Sequence, residues 1–253
     1  MNRLSILFCV LAISCVDKKP QANLPVAIDN PKIDFQLTDG KGIKYENAIF
    51  SEKGAEFTYQ DFPSYAKIDS LDLSLSKGIN ISFWFRFTGN NPKNEQMIFS
   101  IRENDNILKN INFWVAGRRL TGRFNSNNLW AKEYNYEKGG SREYYDLFQL
   151  EEGKYYFFSS NINEEAVEVY LNSELYARYQ HLKNAQIDIN SIYLGIMEEE
   201  GNFKYQFQGN IRDLKMFDKM LNSKEIQVLS IESYDVIFPY NDAYELSKFN
   251  REE

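Results

Sequence analysis

Cysteine is nearly absent from this 253-residue chain, and the two present, Cys9 and Cys15, both fall in its first fifteen residues. The rest of the chain therefore has no disulfide staple, no thiol nucleophile and no thiolate zinc site. Histidine occurs once, as His181 in Tyr179-Gln180-His181-Leu182-Lys183. A Ser-His-Asp centre would have to use it, and no nucleophile elbow accompanies it. Excess positive charge is also missing: 29 Lys and Arg stand against 36 Asp and Glu, a formal net charge of −7 with no concentrated basic patch, which excludes a nucleic-acid partner. Helical periodicity is scarce. The apolar run Leu4–Ser14 is too short to span a bilayer, which takes about 20 residues.

What is abundant is aromatic: 17 Tyr and 19 Phe, the composition of pleated, half-buried surfaces. The clearest stretch is Gly78–Thr88. Ile79, Ile81, Phe83, Phe85 and Phe87 fall on one parity and Asn80, Ser82, Trp84 and Arg86 on the other, the period-2 pattern of a strand with one buried face. Five such side chains, each stabilising by roughly 1.5–3 kcal/mol when buried, require a second apolar layer. Gln96–Ile101 follows across a polar loop and is expected to pair with this strand as its antiparallel neighbour. Further strands are read at 34–37, 55–59, 64–68, 111–116, 120–124, 154–161, 166–171 and 191–196. Many short strands without intervening helices mean a sandwich or barrel.

The two ends carry different signals. Arg3, the run Leu4–Ser14 and Ala12-Ile13-Ser14-Cys15 read as a secretory signal over residues 1–15. Residues 16–32 hold Asp17-Lys18-Lys19 and three of the six prolines, Pro20, Pro25 and Pro31, and read as an extended tether. Near the other end, Ile211, Leu214 and Met216 break alternation across Arg212-Asp213. A β-bulge there would return all three to the core. Asn222 with Glu225 three residues on is a capping box opening a short helix to about Ser230.

These segments resemble a known family. The glycine, bulge, apolar alternation and Leu221-Asn222-Ser223-Lys224-Glu225-Ile226 are similar to the closing segment of laminin-G-like jelly rolls in the concanavalin A-like lectin/glucanase superfamily. Asp69–Leu73, Gly78–Phe85 and Leu194-Gly195 resemble its other strands. The resemblance implies an all-β, two-sheet antiparallel jelly-roll sandwich with one short C-terminal helix, occupying 33–232 and followed by an extension at 233–253. The Ser14-Cys15 junction resembles a bacterial lipobox, which implies lipidation at Cys15, and the charged run behind it resembles Bacteroidetes surface-export signals. The expected location is the outer membrane, lipid-anchored and exported to the cell surface.

Family members often hold calcium, and Asp39, Asp61, Asn210 and Asp213 are the oxygen donors expected to serve if a cation is bound. Arg212 stands at the first position of the family's usual acidic pair. Glucanases of the superfamily use a Glu-x-Asp-x-x-Glu strand; Glu103-Asn104-Asp105 approaches it, but Leu108 stands where the third acid belongs. No catalytic residue is assigned. The long segment Asn125–Tyr145 carries Trp130, Tyr134, Tyr136, Tyr144 and Tyr145 among Asn, Arg and Glu, a composition suited to sugar CH faces and hydroxyls. Trp84 is expected to face whatever that segment covers. The reading is a non-catalytic module that binds carbohydrate; the alternatives are an adhesion protein contacting another protein and a divergent glycoside hydrolase.

Overall fold

The computed structural model describes residues 28–58, 62–88, 95–103, 110–116, 118–125, 142–144, 149–180, 187–199 and 202–237. Cys15, His181, most of the tether and residues 238–253 lie outside them.

In chain order the first strands are β1 (Ile33–Phe35), β2 (Lys44–Glu46), β3 (Ile49–Ser51), β4 (Gly54–Phe57), β5 (Tyr65–Ile68) and β6 (Leu73–Ser74). The middle of the chain contributes β7 (Ile79–Phe87), β8 (Gln96–Arg102), β9 (Asn110–Ala116), β10 (Arg119–Asn125), β11 (Arg142–Tyr144), β12 (Tyr155–Ile162) and β13 (Ala166–Leu171). Then follow β14 (Glu174–Gln180), β15 (Asp188–Ile189), β16 (Ser191–Leu194), β17 (Met197–Glu199), β18 (Asn202–Lys204), β19 (Gly209–Phe217) and the helix α1 (Ser223–Ile237).

Two antiparallel sheets carry the fold. The larger runs β11-β14-β13-β12-β7-β19-β4-β3, with β1 added to β19, and the smaller runs β10-β9-β8-β16-β5-β2. Between them lies one apolar core, in which Phe83 stacks on Phe158 at 4.8 Å and meets the edge of Phe99 at 5.3 Å, while Phe99 stacks on Phe113 at 5.0 Å. Such offset and edge contacts add to the burial of the rings.

That core corrects the expected pairing of Gln96–Ile101 with the Gly78–Thr88 strand. β7 pairs with β12 and β19, whereas β8 pairs with β9 and β16 in the other sheet. Their apolar faces meet across the sandwich instead of lying side by side. Period-2 apolarity specifies a buried face and leaves the choice of neighbour open.

The bulge is where the sequence places it. The register of β19 against β7 shifts between Arg212 and Lys215, Asp213 takes φ 54°, and Ile211, Leu214 and Met216 all sit in the core. The capping box is also present: Asn222 Oδ1 accepts from the Glu225 N–H at 3.1 Å, and Glu225 Oε2 accepts from the Asn222 N–H at 2.8 Å. The helix, however, continues to Ile237 rather than ending near Ser230. Among the described residues no helix is long and apolar enough to cross a membrane.

α1 covers the outer face of the larger sheet. Ile226 and Leu229 join Trp84, Tyr155, Phe157, Tyr170, Phe217 and Leu221 in a second apolar cluster. Its approach is fixed by polar contacts. Asn161 donates to the Leu221 carbonyl at 2.7 Å and accepts from the Leu221 N–H at 2.9 Å, and Ser230 shares a 2.7 Å hydrogen bond with Ser173 in the β13–β14 turn. Behind Asn161, the Asn80 amide donates to Asn161 Oδ1 and Ser159 Oγ, both at 2.9 Å, and the Ser82 hydroxyl bridges Ser159 and Asn80. Thus Asn80 and Ser82 on the polar parity of β7 are buried too, and partnered as burial demands.

Candidate functional site: the outer face of the six-stranded sheet

With Phe99, Ile101, Ile111, Phe113, Val115, Ile192, Leu194, Ala66 and Ile68 turned into the core, alternation sends their neighbours to the opposite side of the sheet. Cross-strand register then aligns Lys44, Lys67, Tyr193, Ser100 and Asn112 in one row across β2, β5, β16, β8 and β9. Ser191, Arg102 and Asn110 form the next. Adjacent members of a row are about 5 Å apart.

The row is organised around Tyr193. Lys67 Nζ lies 4.9 Å and Arg102 Cζ 4.7 Å from its ring centroid, both within cation–π range. Tyr65 is 6.2 Å from Tyr193 and stacks at 5.3 Å on Phe203 of β18, which is 39% exposed. An aromatic ladder therefore climbs from the sheet to the surface. Arg102 Nε donates to Ser100 Oγ at 3.2 Å, and the Asn112 amide donates to Asn110 Oδ1 at 2.8 Å. At the rim, Asp69 accepts from Lys44 at 2.5 Å and pairs with Lys67 at 3.0 Å. Burial pushes the Asp69 carboxyl up, but the two ammonium groups outweigh it and leave it below the usual carboxylate range.

Among the described residues, two polar atoms on β9 have no partner. Asn112 Oδ1, on a side chain 1% exposed, accepts nothing, and Trp114 Nε1, two residues along the same face, donates to nothing. A buried polar group left unpaired costs about 1–3 kcal/mol. One acceptor and one donor, about 7 Å apart along the strand, share a sheet face with the Tyr193 ring and its two cations, an arrangement that can meet a ligand carrying both hydrogen-bonding groups and apolar faces.

Among the described residues, none of those singled out from the sequence lies on this face. Trp84 lies on the other sheet, 2% exposed and 5.3 Å from Phe157 in the cluster covered by α1, while most of the segment it was expected to face lies outside the described residues. The backbone of Tyr144 belongs to β11, while Trp130, Tyr134, Tyr136, Tyr145 and Asp61 lie outside the described residues. The calcium set is not assembled from its other members. Asp39 is paired with Lys41 at 2.8 Å, and hydrogen bonds from Lys41 hold its carboxyl below the usual range. Asn210 Oδ1 accepts from Arg86 at 2.6 Å, and both Asp213 oxygens accept from Lys215 at 2.9 Å, one of them also from Gln36 at 3.0 Å. Each oxygen already has a cationic or amide donor, and among the described residues no three acidic, histidine or cysteine side chains converge. Glu103 accepts from the Asp188 N–H at 3.0 Å and so holds β15.

The signal that sequence reasoning passed over is the i, i+2 spacing of Ser100/Arg102, Asn110/Asn112/Trp114 and Ser191/Tyr193. In each strand these are the residues between the core positions, and they read as an ordinary wet face.

The architecture defines the class: a two-sheet antiparallel jelly roll whose closing strand and helix follow a β-bulge. The chain belongs to the concanavalin A-like lectin/glucanases superfamily, whose laminin-G-type model matches residues 62–227. No curated protein matches the sequence. Among solved structures, it is similar to the ligand binding domain of botulinum neurotoxin serotype D in complex with N-acetylneuraminic acid, at 15% identity, TM-score 0.57, 80% of this chain and 51% of that one. It is also similar to the binding domain of serotype G, at 16% identity, TM-score 0.51, 77% of this chain and 45% of that one. Trypanosoma rangeli sialidase is matched at 11% identity, TM-score 0.53, over 75% of this chain and 29% of that one. The chain thus spans about half the length of the toxin domains, and the likeness is one of fold.

Proposed function

We propose that this protein is a non-catalytic binding module whose ligand is a carbohydrate held on the outer face of the six-stranded sheet. The observation that carries the reading is the pair of unpartnered atoms, Asn112 Oδ1 and Trp114 Nε1, on a face that also presents the Phe203–Tyr65–Tyr193 ladder. Sugar hydroxyls both donate and accept, and sugar CH faces stack on aromatic rings, so one ligand would satisfy both kinds of group. Superfamily membership and a structural neighbour solved with N-acetylneuraminic acid agree with this assignment.

The test is a glycan array probed with the full chain, with and without calcium. Trp114→Phe keeps one aromatic ring and removes the five-membered ring with its N–H, and Phe203→Ala shortens the ladder. Loss of a saturable signal in these variants supports the face described here. Loss only in Trp130→Ala or Tyr136→Ala would move the site to the 125–145 segment, and no glycan signal at all would favour a protein-contacting adhesion module.

The same proposal places the module outside the cell. Residues 1–15 act as a lipoprotein signal, Cys15 becomes the lipidated N-terminus, and the tether holds the domain off the outer membrane. Metabolic palmitate labelling that is lost in Cys15→Ser is the expected result; labelling retained in the variant would refute the anchor.

A further inference from the structure

The outer face of the larger sheet has a polar corner one residue row beyond Trp84. β4, β19, β7 and β12 align Glu56, Asn210, Arg86 and Tyr155, and Arg212 stands beside Trp84 in the adjoining row. Arg86 donates from Nη2 to Asn210 Oδ1 at 2.6 Å, and its guanidinium lies 5.0 Å from the Tyr155 ring centroid. Arg212 donates from Nη1 to the Glu52 carbonyl. Gly54 permits this close approach: its φ is +95°, and a Cβ there would fall 2.4 Å from the Ile211 carbonyl oxygen and 2.8 Å from Arg212 Cβ.

Three N–H donors of this corner, Arg86 Nε, Asn210 Nδ2 and Arg212 Nε, are shielded from solvent and find no hydrogen-bond partner among the described residues. Asn210 is 1% exposed. Among the described residues neither arginine forms an ion pair with a carboxylate; Asp213, the nearest acid in sequence, is taken by Lys215. Burial holds the Arg212 guanidinium below its ordinary value, with Tyr155, Asp213 and Glu52 opposing the shift. Asn210 was expected to ligate a cation. Its one acceptor is occupied, so the unused capacity of the corner is wholly that of a donor.

We propose that this corner is an oxyanion-binding site, taking a carboxylate or sulfate group on Arg86, Asn210 and Arg212. An oxyanion offers several lone pairs to N–H donors held on two neighbouring strands, and guanidinium groups match its planar edges. Both arginines are half-buried, so binding at their Nε atoms requires the guanidinium tips to reorient. The group can be free in solution or borne on a sugar acid.

The full chain is titrated with sodium sulfate and, separately, sodium glucuronate, at constant ionic strength balanced with chloride, and its thermal midpoint is followed. A saturable rise with either anion is expected; tighter binding of glucuronate assigns the site to a sugar acid, and tighter sulfate to a free oxyanion. Asn210→Asp keeps the acceptor for Arg86 and replaces the Nδ2 donor by a carboxylate, and Arg212→Lys keeps the charge and loses Nε. Each variant should weaken binding about tenfold or more, while Lys77→Ala, which removes an exposed cation near the opposite end of β7, should not change it. Absence of a response beyond chloride, or equal affinity in wild type and both variants, would overturn the site.

Discussion

The two outer faces of this sandwich are built from the same kind of strand and treated in opposite ways. On the larger sheet, Trp84, Tyr155 and Phe157 are covered by α1, and the Asn80–Ser82–Ser159–Asn161 network beneath the helix entry is partnered, ending on the Leu221 backbone. On the smaller sheet, Tyr193 is clasped by two cations, and the polar row ends at an amide oxygen and an indole N–H that meet no partner. Burial alone does not distinguish the two, because both faces hold polar side chains almost wholly out of solvent. Hydrogen-bond completion distinguishes the part of the larger sheet where α1 docks from the smaller sheet, and from the Arg86–Asn210–Arg212 corner beyond the helix. A completed network specifies where a helix docks, and an incomplete one marks a place reserved for something not supplied by the described part of the chain.

That contrast can be broken most severely at Trp84. Trp84→Ala removes the centre of the helix-covered cluster and should cost about 3–5 kcal/mol, read as a lowered urea midpoint, while glycan affinity of the folded fraction stays unchanged. Asn161→Ala deletes both contacts to Leu221 and should cost about 2 kcal/mol, with faster amide exchange at the start of α1. On the other face the pattern inverts. Trp114→Phe should leave the urea midpoint nearly unmoved and weaken glycan binding about tenfold, because the lost N–H has no protein partner to leave behind. Asn222→Ala removes the helix cap and should cost about 1 kcal/mol, again without effect on affinity.

The smallest effect is one of pH. Burial, with Glu168 beside it, pushes the Tyr170 hydroxyl up to about 12. The folded state therefore keeps this proton where the unfolded chain, near 10, gives it up. Its contribution is complete below pH 10 and is lost as pH climbs from 10 toward 12. Stability measured across that window should fall more steeply in wild type than in Tyr170→Phe; parallel curves would show that Tyr170 titrates normally.

Local chemistry was legible in the sequence wherever it was self-contained. Ile211, Leu214 and Met216 demand a bulge because no unbroken strand buries all three, and Asn222 with Glu225 demands a helix start. What depends on partners was not. β7 and β8 show the same apolar alternation whether they lie side by side or face each other, and only the assembled core reveals that Phe83 meets Phe99 across it. Trp84 stands among polar residues, so its burial by a helix some 140 residues later in the chain cannot be read locally. The polar rows of β8, β9 and β16 were hidden for the opposite reason: Asn112 and Trp114 look like solvent-facing positions until register places Asn112 in one row with Ser100, Tyr193 and Lys67.

The most direct test of this division of labour is hydrogen–deuterium exchange of the full chain with and without the strongest glycan from the array. Slowed exchange in 96–102, 110–116 and 191–194, with α1 and β12 unchanged, is the predicted result. Protection confined to β7, β12 and α1, with β8, β9 and β16 unaltered, would contradict the assignment of the binding face to the six-stranded sheet.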